Sequence, residues 1–248
     1  EGGSFATSAN REQGTGLRSF SAVGKPSREA CVAREIAESC PQLRTLQFSA
    51  PGLNATVVKA LLSGDPKTIR SLLLLKAPAL GDGAVLEVCK RCDALEVLDL
   101  SGCGGITDAA LKHATRAFGA TLECLRIAAC AKFSRDAVQR AVAALPELKT
   151  LDCGFTLVPC PAGGQQVTKQ RSERRVAVSE VTPNGRDTLS LVSPQLKVLS
   201  LWGCTRVQGV VLNCGQLSHL NLTGCSTLTP GRINVTACTN LTDVPKQT

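Results

Sequence analysis

The 248-residue chain has no methionine, no tyrosine, one tryptophan and two histidines, and only 3% of its residues are aromatic. So few rings leave little for bases to stack on, which argues against a nucleic-acid surface. Two histidines leave nucleophilic catalysis short of its usual base. His113 falls beside Lys112 on the outer face of an expected helix, and no spacing suggests a carboxylate pair, so no catalytic residue is nominated. Long apolar runs are also missing. The strongest, "IRSLLLL" at 69–75, is strand-sized and well short of the ~20 residues a membrane span needs. With Glu1 first and no Met, the start reads as trimmed, processed or internal, and a removed targeting peptide stays open.

What is present is globular: 43% hydrophobic residues, a mean hydropathy of +0.08 and ample length for a core. Thirteen cysteines would suit a secreted disulfide framework, but the number is odd and several recur at one repeat position. Four Asn-x-Thr sequons, at Asn54, Asn221, Asn234 and Asn240, mostly fall in or beside expected strands and read as chance. A reducing intracellular compartment, cytoplasm, nucleus or organelle matrix, is therefore expected. The net charge of +8 and pI near 9.0 suit an acidic partner, nucleic acid or an organelle without choosing among them.

The organising feature is a repeat of the frame L-x-x-L-x-L. It reads "LRTLQF" from Leu43, "IRSLLL" from Ile69, "LEVLDL" from Leu95, "LECLRI" from Leu122 and "LKTLDC" from Leu148, at spacings of 26, 26, 27 and 26. It resumes with "LKVLSL" from Leu196 and "LSHLNL" from Leu217, and fades at "LTDV" from Leu241. A fixed period of this size with this frame is the signature of a leucine-rich-repeat solenoid, an α/β horseshoe with a parallel concave sheet. Numbering each frame from its first leucine, places one, four and six are core, and places three, five and seven face away from it. Place nine is Cys103, Cys130, Cys204 and Cys225, with Cys238 in a similar setting: a structural series in which a small thiol packs as an apolar group with a weak S–H donor.

After place nine the early repeats read as helices. Asn54, Asp82, Thr107 or Asp108, and Ser134 are the expected N-caps. After Leu196 strand-like runs come about every 11 residues and Val, Thr and Asn replace Ala and Leu, so the convex side there is expected to be extended. The gap of 48 between Leu148 and Leu196 is close to two repeats, and "RVAV" at 175–178 is a candidate degenerate strand. The expected organisation is a flexible Ser/Gly-rich arm over 1–28, a capping helix over 29–42 and a repeat domain over 43–248, with an irregular insertion about 157–192.

The run "LEVLDLSGCGGITDAAL" resembles the cysteine-containing leucine-rich repeat, common in the F-box/leucine-rich-repeat substrate receptors of ubiquitin ligases. The resemblance covers about residues 40–245, with the full motif in 95–121; residues 1–40 lack the Leu-Pro-rich pattern of an F-box. It implies a non-enzymatic scaffold that recognises protein substrates.

Other candidate sites read blandly. "GCGGIT" lacks the lysine of a phosphate-binding loop and reads as a tight turn. Cys89 and Cys92 have zinc-knuckle spacing, but no second pair exists, so neither metal nor cofactor is expected. The basic run "KQRSERR" at 169–175 reads as a solvated loop; an RNA-associated scaffold would use its Arg171, Arg174 and Arg175. What remains is the concave face, the usual interaction surface of a solenoid. Its expected partner-binding residues are Leu73, Leu75, Val97, Asp99, Arg126, Asp152, Val198, Trp202, His219 and Asn221, with Arg175 added if "RVAV" is a strand. Trp202 and Arg126 are the hot-spot types, and Leu73, Leu75 and Val97 would form an apolar patch. The expected function is protein binding, as the recognition part of a ubiquitin ligase or as an accessory subunit of a large, possibly organellar, assembly.

Overall fold

The computed structural model describes residues 6–10, 19–23, 42–64, 66–157 and 188–242. Its main sheet runs through β1 (Ala6–Asn10), β2 (Ser19–Val23), β3 (Thr45–Ser49), β4 (Ser71–Leu75), β5 (Val97–Asp99), β6 (Cys124–Arg126), β7 (Thr150–Asp152), β9 (Val198–Ser200) and β11 (His219–Asn221), in that order. All neighbours are parallel except β1, which is antiparallel to β2. Register holds the repeat in phase. Leu46, Leu72, Leu98, Leu125, Leu151, Leu199 and Leu220, all at place four, face one another across successive strands. Each is buried, and burying a leucine stabilises by about 1.5–3 kcal/mol, so a one-residue slip would turn the whole row out to water.

Four helices lie on the convex side: α1 (Ala55–Leu61), α2 (Asp82–Arg91), α3 (Asp108–Phe118) and α4 (Arg135–Ala143). Asn54, Thr107 and Ser134 are N-caps, their side chains accepting helix N–H bonds. The second helix departs from expectation: its cap is Gly81, and Asp82 is its first residue. Asp82 caps the next repeat instead. Its carboxylate accepts from Thr107 N and from Thr107 Oγ1, both at 2.7 Å. Asp108 does the same for Ser134, accepting from its N at 2.8 Å and its Oγ at 2.6 Å. Each cap hydroxyl thus donates back to one helix while accepting from its own.

The turn after each strand has two constraints. At place eight the backbone is left-handed in six repeats: Gly102, Gly203 and Gly224, but also Lys76, Ala129 and Phe155 at φ of 51°, 56° and 52°. At place nine a side chain reaches back to the place-six carbonyl of the preceding repeat. Cys103 Sγ donates to Leu74 O at 3.1 Å, Cys130 to Leu100 O at 3.1 Å, Cys204 to Cys153 O at 3.1 Å and Cys225 to Leu201 O at 2.9 Å. The missing rung is Thr156, whose hydroxyl donates to Ile127 O. The series is therefore five polar hydrogens long, four thiols and one hydroxyl.

Three expectations are corrected. Strand β7 pairs directly with β9, so no strand lies between them in the concave sheet. The insertion assigned to 157–192 ends earlier, because β8 (Thr188–Val192) is a regular strand; it forms a second parallel sheet in the order β12–β10–β8 with β10 (Gly209–Asn213) and β12 (Ile233–Asn234). That sheet is the extended convex side expected after Leu196. The arm over 1–28 contains β1 and β2, which extend the concave sheet. "RVAV", Arg175 and all but the last residue of the 29–42 helix lie outside the described residues.

Replacing Cys130 by Ala should lower unfolding stability by about 1–2 kcal/mol, because the cavity adds to a lost donor at a buried carbonyl. Gly102→Ala should cost a similar ~1–2 kcal/mol, since the residue sits at φ +77° with a new Cβ 3.1 Å from Lys76 Cα. Urea unfolding midpoints of the two variants check both values.

Candidate functional site

Outward positions of the concave sheet form rows along the array. The place-five row runs Gln47, Leu73, Asp99, Arg126, Asp152, Ser200 and Asn221 in direct strand-to-strand register. Of the expected binding residues, Leu73, Leu75, Val97, Arg126, Asp152 and Val198 are half-buried, while Trp202, His219 and Asn221 are exposed. Leu73 sits opposite Asp99 and Val97 opposite Ser71, so the apolar patch is diagonal rather than a row. Asp99 is corrected: it is only 6% exposed. One of its oxygens accepts from Ser101 N at 2.9 Å and the other lies 3.7 Å from Arg126 Nη1.

The place-five acids and amides have structural work. Asp99, Asp152 and Asn221 each accept the N–H two residues on, closing an Asx turn at the strand end. Sequence reasoning took them as outward groups alone. Asp152 uses Oδ1 in this way, at 3.0 Å from Gly154 N, and its second oxygen makes no hydrogen bond or ion pair among the described residues, though Arg126 lies opposite it on the adjacent strand.

Trp202 has a partner that the frame reading passed over. Phe155 packs against it edge-to-face, ring centroids 4.3 Å apart and planes at 72°. Both rings are exposed, at 43% and 40%. Two glycines seat them: a Cβ on Gly154 would come within 1.9 Å of Trp202 Nε1, and one on Gly203 within 2.4 Å of Phe155 Cε1. The signal was available, since Gly154 and Phe155 fall at places seven and eight of the Leu148 frame.

The glycine-rich turn is explained by packing. A Cβ on Gly105 would lie 2.4 Å from Leu80 O, and Gly105 bridges to Gly81 of the preceding repeat. The start of α3 behind it already faces the Asp82 carboxylate, so the turn has little to offer an anion. His113 is half-buried; His219 Nδ1 lies 2.9 Å from Ser218 Oγ at the surface. Among the described residues no group of three or more His, Cys, Asp or Glu side chains is placed to hold a metal. Nor is any helix there long and apolar enough to cross a membrane.

The thiols are chemically muted. Burial pushes Cys89, Cys103, Cys204 and Cys214 up to about 11 and Cys92 and Cys130 up to about 12. Burial also raises Cys124, Cys153 and Cys225. A thiol held protonated is a poor nucleophile. This applies to the Cys89–Cys92 pair in particular.

Strand, turn and helix stacked in register on a parallel concave sheet, with the place-nine cysteine rungs, define a leucine-rich-repeat solenoid of the cysteine-containing type. Over 195 residues the chain is 31% identical to F-box/LRR-repeat protein 17 of Arabidopsis thaliana, an alignment covering 79% of this chain and 32% of that protein. The chain thus spans about a third of that relative's length. The crystal structure of the Rad7 and Elc1 complex in yeast superposes at a TM-score of 0.44 with 14% identity, covering 86% of this chain and 70% of the other. No protein-family model matches.

The raised thiols set an alkaline limit. A cysteine neutral in the folded state but ionised once unfolded contributes stability that is complete below its unfolded value near 9.0. That contribution is lost as pH rises toward the folded values of about 11 and 12. Stability should therefore be level from pH 7 to 8.5 and fall steeply above 9, by up to about 1.4 kcal/mol per pH unit for each such thiol. Urea unfolding measured across pH 7–10.5 checks the sign.

Proposed function

We propose that the chain is a non-enzymatic scaffold that binds protein partners through its concave face, and that it serves as the substrate-recognition part of a ubiquitin ligase. The observation that carries this reading is the similarity to F-box/LRR-repeat protein 17, which runs through 79% of the chain. The side-chain chemistry supports it. The ionisable groups of the concave face are engaged in turns and one ion pair rather than assembled around a nucleophile, and burial raises the thiols of Cys103, Cys124, Cys130, Cys153 and Cys204. The face also carries the residue types that dominate protein interfaces, an exposed tryptophan with its phenylalanine neighbour and an arginine two strands away. Leu73, Leu75, Val97 and Val198 supply apolar area around them, and His219 and Asn221 its polar rim. The basic residues on which an RNA-associated reading would rest, Arg171, Arg174 and Arg175, lie outside the described residues.

The test is affinity purification of tagged chain from cells, with quantitative mass spectrometry, comparing wild type with Trp202→Ala and Arg126→Ala. A partner set reduced about tenfold or more by Trp202→Ala, with lower ubiquitination of those partners, is the expected result. Capture unchanged in both variants would remove the concave face from the interaction.

A further inference from the structure

We infer that Asp152, Phe155 and Trp202 together form a receptor for one lysine or arginine side chain of the protein partner. The inference rests on the concave-face reading above and adds the chemistry of what that face grips.

Three departures from the repeat coincide on two adjacent strands. Place seven of the seven frames is Ser49, Leu75, Ser101, Ala128, Gly154, Trp202 and Thr223, so Gly154 is the one glycine there. It is required because any Cβ would strike the indole of Trp202. Place eight is glycine, alanine or lysine in every other frame, and phenylalanine once. Phe155 takes its positive φ of 52° at a cost that glycine would avoid. It nevertheless holds its ring 43% exposed over Gly203. Lys76 and Ala129 take the same backbone at this place, so what sets Phe155 apart is not its φ but the exposed aromatic ring it carries there.

The two rings, with planes at 72°, make adjoining walls. Asp152 stands next to them, because its Oδ1 holds the N–H of the same Gly154 on which the indole rests. A carboxylate beside two exposed rings is complementary to a side-chain cation, which the ring quadrupoles attract and the acid neutralises. Charge complementarity also selects the occupant. Arg126 is paired with Asp99, and Lys149 with Glu123 at 2.7 Å. Lys197 enters β9 at the end of the strand opposite Trp202. Asp152 stands opposite Arg126 on the adjacent strand but makes no ion pair with it, Arg126 leaning to Asp99 instead, which leaves an acid open to a second cation on the face of a chain whose net charge is +8.

Trp202 is the only tryptophan, so its emission reports directly on the site. The experiment titrates the full chain with short capped peptides bearing a central arginine, a central lysine, or citrulline or norleucine as uncharged counterparts, while Trp202 fluorescence is read. The expected result is saturable change with the arginine or lysine peptide, about tenfold weaker with its uncharged counterpart. Asp152→Asn should weaken the cationic peptide by a similar factor without disturbing the turn, since Asn221 and Asn234 make the same bond in other repeats. Phe155→Gly, which relieves the strain and removes a wall, should raise stability or leave it unchanged while weakening binding. Equal affinity for charged and uncharged peptides, or full affinity in Asp152→Asn, overturns the inference. The same variants in partner capture separate the two readings. Loss of capture with Trp202→Ala but not with Asp152→Asn keeps the concave interface and rejects the cation receptor; capture intact in Trp202→Ala rejects the receptor for the partner, and capture intact in Arg126→Ala as well rejects the interface.

Discussion

The solenoid depends on how one buried carbonyl is satisfied. From β5 onward the strand ends before place six, and the N–H groups at places six and eight turn to the next repeat, as Leu100 N does to Arg126 O and Gly102 N to Ala128 O. The place-six carbonyl itself points inward, where no water can reach it. Leu100 O accepts from Cys103 N of its own repeat at 3.1 Å and from Cys130 Sγ of the next at 3.1 Å. Cys153 O and Leu201 O show the same two-donor node. A thiol suits the position because it is small enough for the core yet still has a hydrogen to give. An apolar replacement would leave half the node unmade in each of the five repeats that make it, and an ionised thiolate could not donate at all. The burial that protonates these cysteines and the bond they make are therefore one requirement seen twice.

The convex side follows from what each repeat hands to the next. In the helical half the handover is an aspartate at the first helical residue: Asp82 to Thr107, and Asp108 to Ser134. Helix α4 begins with Arg135 instead, so the relay stops there. In the next described part of the array the convex elements are strands. Leu189, Leu191, Val210 and Leu212 bury the inner side of that sheet. Cys214 and Cys238 extend longer S–H contacts, 3.8 and 3.6 Å, to Leu191 O and Leu212 O. Both halves keep the same concave register, because that register is set by the leucines and the node rather than by the convex element.

Periodic features were legible in the sequence because they are written many times. The leucine frame located every concave strand from β3 onward, and the recurrent cysteine marked the turn. Extended chain replacing helix after Leu196 followed from the switch to Val, Thr and Asn. Features carried by a single copy were harder to read. Thr156 does a cysteine's work with a different side chain, so a search for cysteine misses it. Asp82 caps a helix 25 residues away rather than its own, which local capping rules do not anticipate. The doubled spacing before Leu196 suggested an extra strand in the concave sheet; only the direct pairing of β7 with β9 shows that none lies between them. Asp99 reads as an outward group by alternation, yet two contacts draw it under Arg126.

A repeat array makes its own control experiment, since each place is sampled several times under the same packing. Where one copy departs and its neighbours do not, stability of the fold is a poor explanation, because the neighbours show what stability alone selects. Gly102, Gly203 and Gly224, with Lys76 and Ala129, show that place eight otherwise takes a glycine or a non-aromatic side chain, and Ser101 and Thr223 show that place seven tolerates an ordinary side chain. Gly154, Phe155 and Trp202 break both patterns within two strands, and each break makes room for or exposes an aromatic ring. The array elsewhere spends its polar groups on closing turns and its apolar groups on the core. This stretch instead leaves two rings and a carboxylate oxygen facing out together, which is the arrangement of a surface shaped for a ligand.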